Sequence, residues 1–99
     1  MHLDARINLG RLLHEAGKLP EAERVYRDAP QGNALLHYNL GVLLEDMQRN
    51  DDAADAYEAA LHEDPDFADA HHNLALLCEA LGRPKDAIRH MARYRKLTR

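Results

Sequence analysis

The chain repeats itself at intervals of about a third of its length. The triplet Asn-Leu-Gly at 39–41 returns 34 residues later as Asn-Leu-Ala at 73–75, and it also stands 31 residues earlier, at 8–10. Each triplet lies inside an apolar run with the spacing of a helix. Repeats of this length are typical of solenoids, in which pairs of helices stack and form an extended concave surface.

Aligning the three triplets predicts two helices per repeat and no strands, since apolar residues do not alternate with period two over a useful length. The first helices are expected over 3–16, 34–47 and 68–81, and the second helices are expected to begin near Pro20, Asn50 and Pro84. The predicted buried stripe on the first helices comprises Ala5, Leu9, Leu12, Leu13 and Ala16, then Leu36, Leu40, Leu43, Leu44 and Met47, then Ala70, Leu74, Leu77, Cys78 and Leu81.

The second helices are expected to differ in length. Asp64-Pro65 ends the one in the middle repeat, because proline disfavours helical geometry in the residue before it. Residues 29–32 (Ala-Pro-Gln-Gly) end the one in the first repeat early. Since the first repeat is three residues shorter than the next, its second helix should lose most of a turn.

The pattern resembles the tetratricopeptide repeat (TPR) family, in which Leu-Gly is followed by alanine, an aromatic residue and proline. In the middle repeat these positions hold Leu40, Gly41, Ala53, Tyr57 and Pro65. The resemblance implies an all-α, right-handed superhelix of three helix-turn-helix units with six helices. It also implies one domain over 1–99, with repeats at about 3–33, 34–67 and 68–99, that binds proteins and is not an enzyme.

In this family, partner segments lie in a concave groove lined by the first helix of each repeat. Carried over by position, the groove residues implied by the resemblance are Ile7, Asn8, Arg11, Leu35, Tyr38, Asn39, Val42, Glu45, His72, Asn73, Leu76 and Glu79. The same face includes Asp4, His14 and Asp69.

The helix expected over 34–47 is apolar on nearly all sides, which leaves two interpretations of its groove side. Leu35, Tyr38 and Val42 either pack on the flanking helices or form a semi-apolar floor for a partner. The three asparagines of the repeated triplet would form a ladder whose amides pair with a peptide backbone, although asparagine is also common at this position in the family.

Charge indicates which partner would suit the groove. Cochaperone members of the family hold an acidic C-terminus with a clamp of lysines, arginine and asparagine. The clamp positions here hold Ile7, Arg11, Asn39, Asp69 and Asn73, of which only Asn39 fits. Acidic residues line one edge of the groove: Glu15, Glu45, Asp46 and Glu79. We therefore expect a neutral or basic protein partner with apolar side chains.

Composition argues against several other functions. The net charge is -4, and the basic residues are concentrated in 85–99 whereas 45–69 is acidic, which disfavours nucleic-acid binding. No apolar stretch approaches the roughly 18 residues of a membrane span, and a single cysteine suits a reducing compartment, so a cytoplasmic location and no membrane partner are expected. The seven histidines do not assemble four ligands and no catalytic motif is present, so no metal, cofactor or chemistry is expected.

The last helix supports an alternative function, which is self-assembly into a homo-oligomer. Where the middle repeat has Ala60 and Leu61, the last repeat has Tyr94 and Arg95, which suggests that the stack ends there. Four residues of this helix are candidates for contacts between copies: Ile88, Met91, Tyr94 and Leu97. The acidic middle and the basic tail would favour the same association.

Overall fold

Six α-helices and their connecting turns form the protein over residues 2–99, the part of the chain that the computed structural model describes. The helices are α1 (Leu3–Glu15), α2 (Leu19–Asp28), α3 (Ala34–Asp46), α4 (Asn50–Glu63), α5 (Ala68–Ala80) and α6 (Pro84–Leu97). They pack as the pairs α1–α2, α3–α4 and α5–α6, and α2 and α4 each contact the first helix of the next pair. No strand occurs in residues 2–99, as predicted.

The turn inside each pair has the same backbone geometry in all three repeats. The first helix ends one residue earlier than predicted, and a residue with positive φ follows it: Gly17 at 79°, Gln48 at 61° and Gly82 at 73°. Glycine adopts this conformation without steric cost, whereas a residue with a Cβ atom is strained there. Gln48 therefore adopts a left-handed backbone conformation that the turn requires and that its own side chain disfavours.

The second helices differ in length as predicted. α2 has 10 residues and α4 has 14, so the first repeat lacks about one helical turn. α4 ends at Glu63, just before Asp64-Pro65, and α2 ends at Asp28, just before the Ala-Pro-Gln-Gly segment.

A close approach between the two helices of a repeat depends on glycine. A Cβ atom built on Gly41 would lie 2.6 Å from Cε1 of Tyr57, whose side chain is completely buried. Gly10 is related to Tyr26 in the same way. In the last repeat the two equivalent positions hold Ala75 and Met91, where a methyl group faces a flexible side chain instead of a rigid ring.

The predicted buried stripe is confirmed on α3 and α5, where four of the five residues on each helix are buried and Met47 and Leu81 are half-buried against the core. On α1 the prediction is wrong for four of the five residues, and Leu13 alone of them packs against the core. Leu43 is fully buried and Leu77 is 3% exposed, whereas their equivalent on α1, Leu12, is 58% exposed. Leu9, Ala5 and Ala16 are exposed as well. The cause is the stacking order: α2 covers this face of α3 and α4 covers it on α5, but within residues 2–99 no helix lies before α1.

Candidate peptide-binding groove

Two adjoining cavities lie between α1 and α3 on the concave side. The larger has a volume of about 500 Å³ and the smaller about 290 Å³. Arg11 of α1 and Asn39 of α3 line both cavities, so the two form one continuous depression. We call this depression the α1–α3 groove.

Seven of the predicted groove residues line the α1–α3 groove: Ile7, Asn8, Arg11, Leu35, Tyr38, Asn39 and Val42. Leu35 is 46% exposed, while Tyr38 and Val42 are half-buried, so the side chains contribute both to packing and to an accessible floor. The groove face contributes two further residues of α1, Asp4 and His14.

Tyr26 is the wall residue that sequence reasoning did not place in the groove. It belongs to α2, yet its ring reaches the larger cavity because Gly10 on α1 carries no side chain to block it. The sequence feature that could have indicated this is the pairing of Gly10 with Tyr26, which recurs in the next repeat as Gly41 with Tyr57.

The other predicted residues do not join this groove, because protein side chains occupy the space between α3 and α5. The ring of Tyr38 stacks on Phe67 with centroids 5.1 Å apart. Nδ2 of Asn73 donates hydrogen bonds to the hydroxyl oxygens of Tyr38 at 3.1 Å and Tyr57 at 3.3 Å. The hydroxyl of Tyr57 in turn donates to the carboxylate of Glu45.

Titration of the Tyr57 phenol does not disturb this network at ordinary pH. Burial raises its pKa, and the hydrogen bond to Glu45 raises it further, so the hydroxyl stays protonated and remains a donor. Glu45 and Asn73 therefore take part in a hydrogen-bond network that joins α3, α4 and α5, and their contact with a partner stays a prediction.

The remaining predicted residues of α5 lie apart from the two cavities. His72 packs against the ring of Tyr94, with centroids 4.7 Å apart. Leu76 is 50% exposed and Glu79 is exposed, but neither lines the α1–α3 groove.

The three asparagines of the predicted ladder are not equivalent. The side-chain oxygen of Asn8 accepts a long hydrogen bond of 3.4 Å from Arg11, and the amide nitrogen of Asn73 is engaged by two tyrosines. Asn39 makes no side-chain hydrogen bond to any residue in 2–99, and it lies at the junction of the two cavities. Of the three side chains, that of Asn39 alone has neither its donor nor its acceptor engaged within residues 2–99, so both can pair with a peptide backbone.

The rim of the larger cavity carries charges of both signs. Nε2 of His14 donates to Oδ2 of Asp46 at 2.5 Å, which joins the C-terminal ends of α1 and α3. Glu15 lies at the same end, one helical turn beyond Arg11 on α1. Because helix C-termini carry partial negative charge, this end of the groove favours a cationic group on a partner.

Two observations on residues 2–99 concern other kinds of site. No three side chains of histidine, cysteine, aspartate or glutamate gather there in a way that would hold a metal ion. Among the six helices, none combines the length and the apolar character that crossing a bilayer requires.

Comparison with known proteins identifies the repeats. A tetratricopeptide repeat model matches residues 38–98, and a second one matches residues 3–28. The chain belongs to the tetratricopeptide repeat family. The resemblance inferred from the sequence is thereby confirmed.

Two curated proteins contain segments similar to this TPR chain. The peroxisomal targeting signal receptor of Candida albicans is 31% identical over 94 residues, covering 92% of this chain and 16% of the receptor. The protein O-mannosyl-transferase Tmtc3 of Drosophila melanogaster is 39% identical over 56 residues, covering 57% of this chain and 6% of the transferase. The chain thus spans a small part of the curated relatives it matches.

Solved structures share the architecture. The second TPR of Spaghetti (RPAP3) bound to the HSP90 peptide SRMEEVD superposes with a TM-score of 0.90 at 20% identity, over 98% of this chain and 93% of that one. A crystal structure of MamA superposes with a TM-score of 0.89 at 20% identity, over 98% of this chain and 58% of that one. These likenesses show the fold, an all-α helical repeat superhelix, as predicted.

Proposed function

We propose that this TPR chain is a non-enzymatic protein-interaction module that binds a peptide segment of a partner protein in the α1–α3 groove. The observation that carries the proposal is the pair of connected cavities, which share Arg11 and Asn39 and together extend along the first two repeats. An exposed apolar side chain, Leu35, and an unengaged amide, Asn39, lie side by side on this wall. Apolar surface rimmed by polar groups is the usual mark of an interaction site.

The proposed partner segment is neutral or basic and carries apolar side chains. Glu15 and Asp46 at one end of the larger cavity suit a lysine or arginine, while Val42 and Tyr38 offer apolar contact beside them. The HSP90 peptide in the RPAP3 structure, SRMEEVD, is rich in acidic residues. Because the clamp positions of this chain lack the lysines of that kind of site, we propose a partner of different charge.

The partner chemistry is tested by selecting binders from a library of random peptides displayed on phage. We expect enrichment of peptides that combine lysine or arginine with large apolar residues. Enrichment of peptides with acidic C-termini would contradict the proposed charge preference.

The location is tested with one selected peptide and a matched pair of variants. Val42 on α3 and Leu76 on α5 are equivalent positions, but only Val42 lines the α1–α3 groove. We expect Val42→Gln combined with Asn39→Ala to raise the Kd by roughly tenfold, which corresponds to about 1.4 kcal/mol, and Leu76→Gln to leave it within about twofold. Unchanged affinity in the Asn39 and Val42 variants would defeat the assignment.

A second candidate function is head-to-tail self-assembly, which two exposed apolar faces support. α1 exposes Leu12 and Leu9, and α6 exposes Ile88, which is 71% accessible. Ile88 and Met91 line an end cavity of about 340 Å³, whereas the equivalents of these two residues in the middle repeat, Ala54 and Tyr57, are covered by α5. A second copy that placed its α1 on this α6 would continue the stack.

The two further residues proposed for this contact have different surroundings. Tyr94 packs on His72 within the chain, and Leu97 is half-buried. Sedimentation across concentration and salt tests the association, with Ile88→Gln as the disrupting variant. A monomer at every concentration would rule self-assembly out without affecting the groove proposal.

A further inference from the structure

A cavity of about 320 Å³ where α6 meets α5 is lined mostly by side chains that carry positive charge or can acquire it. The lining residues are His71, Arg89, His90, Ala92, Arg93 and Lys96. Arg89, Arg93 and Lys96 follow one another at helical spacing, so they lie on one face of α6. The cavity shares no residue with the α1–α3 groove. We call it the basic cavity.

A buried imidazole presents an unpartnered nitrogen to the basic cavity. His90 is only 9% exposed, and its Nδ1 lies 3.0 Å from Nδ1 of His71. Its other nitrogen, Nε2, makes no hydrogen bond to any residue in 2–99. Within those residues no fully buried side-chain nitrogen or oxygen lacks a partner. Nε2 is therefore accessible, and the cavity that His90 lines is the space it faces.

The hydrogen bonds of the two histidines show where one added proton fits. Nε2 of His71 lies 2.7 Å from the carbonyl oxygen of Pro65, which only accepts, so this nitrogen carries a hydrogen. Nδ1 of the neutral His71 then accepts, and Nδ1–H of His90 donates to it. A proton on Nε2 of His90 leaves both bonds intact and turns that nitrogen into a donor directed at the basic cavity.

The cations around the basic cavity are only partly neutralised within the chain. Nη2 of Arg89 contacts Asp86 at 3.3 Å. Nη2 of Arg93 contacts Asp66, in the segment before α5. Each pair uses one terminal nitrogen, so the other N–H groups of both guanidinium ions remain as donors. Lys96 forms no ion pair with any carboxylate in residues 2–99. Three cations and two carboxylates leave one positive charge, and a proton on the imidazole beneath them makes two.

We propose that the basic cavity binds a tetrahedral oxyanion of the phosphate class, with Lys96, Arg93 and Arg89 around it and protonated His90 donating from beneath. A phosphate group carries up to two negative charges near pH 7, which matches the charge of the protonated cavity. Its oxygens accept hydrogen bonds in several directions, as donors placed around and beneath it require. A free phosphate ion and a phosphorylated side chain of a partner protein share this chemistry.

The middle repeat shows that packing of the repeat does not require these cations. The positions equivalent to Arg89, His90, Arg93 and Lys96 hold Asp55, Ala56, Ala59 and His62. The corresponding cavity beside α3 and α4, of about 410 Å³, is lined by Asp52 and Asp55 together with one arginine, Arg27. An anion site is therefore expected in the last repeat and not in the middle one.

Binding of the anion and protonation of His90 should favour each other. Burial lowers the pKa of His90, Arg89 and His71 lower it further, and Asp86 opposes them. A dianion above the ring opposes the lowering, so the pKa of His90 is higher in the occupied cavity than in the empty one. By linkage the anion binds most tightly below the pKa of the empty cavity, and its affinity falls as pH rises through the pKa of the occupied cavity.

The first test is a titration of the full chain with sodium sulfate or sodium phosphate, followed by amide NMR at constant ionic strength with chloride as the reference ion. We expect saturable shifts at millimolar concentration for amides of residues 89–96. Sulfate stays dianionic between pH 7.5 and 5.5, so any change of its affinity over that range belongs to the protein. Failure of the shifts to saturate, or binding of acetate as tight as that of sulfate, would overturn the proposal.

Two exposed lysines of α6 provide a matched pair of variants. Lys96 lines the basic cavity and Lys85 does not. We expect Lys96→Gln to weaken sulfate binding by at least about fivefold and Lys85→Gln to leave it within about twofold. Equal losses in the two variants would mean general attraction to a basic helix, and the site would be rejected.

The imidazole titration tests the role of His90 without any substitution. In saturating sulfate the pKa of His90 should be higher than in chloride, while that of His37, the middle-repeat equivalent of His71, should not change. His90→Ala copies Ala56 of the middle repeat and should bind sulfate with an affinity that no longer depends on pH. An unchanged pKa of His90 in the occupied cavity would disprove its part in the site.

A phosphoserine compound distinguishes the two sources of the phosphate group. N-acetyl-O-phosphoserine N-methylamide should bind more tightly than inorganic phosphate if the site receives a phosphorylated side chain, and less tightly if it receives the free ion. Either order supports the basic cavity as a phosphate site. Equal binding of the unphosphorylated serine compound would contradict it.

Discussion

Replacing Gly41 by alanine should destabilise this protein, although the same change in an exposed helix would stabilise it. Alanine is favoured over glycine in a helix interior by about 1 kcal/mol. Here the added Cβ would lie 2.6, 2.7 and 2.9 Å from three ring atoms of Tyr57. The ring is completely buried and is held by hydrogen bonds involving Glu45 and Asn73, so it has little freedom to move away.

The expected net effect follows from these opposing contributions. Overpacking of a core typically costs about 1–3 kcal/mol, and disturbing a hydrogen bond of the displaced phenol costs about 1 kcal/mol more. Subtracting the gain in helix propensity leaves a net loss of about 1–3 kcal/mol, or a fall in Tm of roughly 4–8 °C per kcal/mol for a domain of this size. Thermal and urea unfolding followed by circular dichroism would measure it.

A double-mutant cycle isolates the steric cause. Combining Gly41→Ala with Tyr57→Met recreates the pair that the last repeat already contains, Ala75 with Met91. We expect the double variant to be at least about 1 kcal/mol more stable than the sum of the single changes predicts, because the new methyl group then faces a flexible side chain. Additive changes, or a Gly41→Ala variant as stable as the parent chain, would refute the reasoning.

Two further predictions concern the burial of equivalent leucines on α1 and α3 and the dependence of stability on pH in acid. Leu43→Ala removes a fully buried side chain and should cost about 2–5 kcal/mol, whereas Leu12→Ala, at the equivalent but exposed position, should cost less than about 1 kcal/mol; equal losses in urea unfolding would contradict the assignment of burial. Burial raises the pKa of Glu23, but bonds from Arg27 and Arg49 lower it below the ordinary value of 4.5. Its stabilisation is therefore fully present above about pH 4.5 and is lost below it, as pH falls through the lowered pKa of the folded state. Glu23→Gln should flatten that part of the stability curve, and a curve that superimposes on the parent would disprove the role.

The sequence was sufficient to predict what depends on local spacing. The three first helices, the shortened α2 and the end of α4 before Asp64-Pro65 all follow from apolar periodicity and proline, and the structure agrees to within about one residue. The exposed face of α1 was not predicted, because burial of Leu12 depends on a neighbouring helix and not on its own run of residues. The His71–His90 contact joins residues 19 positions apart, and no repeat of the pattern indicated it.

The groove was predicted along the first helices of all three repeats, whereas in residues 2–99 its cavities lie between α1 and α3 and side chains fill the space between α3 and α5. Two differences between equivalent positions explain why. The residue before α5 is Phe67, which stacks on Tyr38, whereas the equivalent residue before α3 is Asn33. The side chain of Asn33 turns back to accept the N–H of Leu36 at 3.0 Å, so it caps its own helix.

The position equivalent to Tyr38 on α1 is Ile7, which has no hydroxyl group to accept a hydrogen bond. Asn73 therefore finds an acceptor on the neighbouring first helix, while Asn39 does not. The α1–α3 groove is thus unfilled, and the Asn39 amide unengaged, for the same reason. The first repeat has Ile7 and Asn33 where the next repeat has the aromatic residues Tyr38 and Phe67. Ile7→Tyr combined with Asn33→Phe should therefore fill the α1–α3 groove with the protein's own side chains. We expect this double variant to keep its helix content and to lose peptide binding. Retained binding by the folded variant would show that the peptide does not lie in the α1–α3 groove.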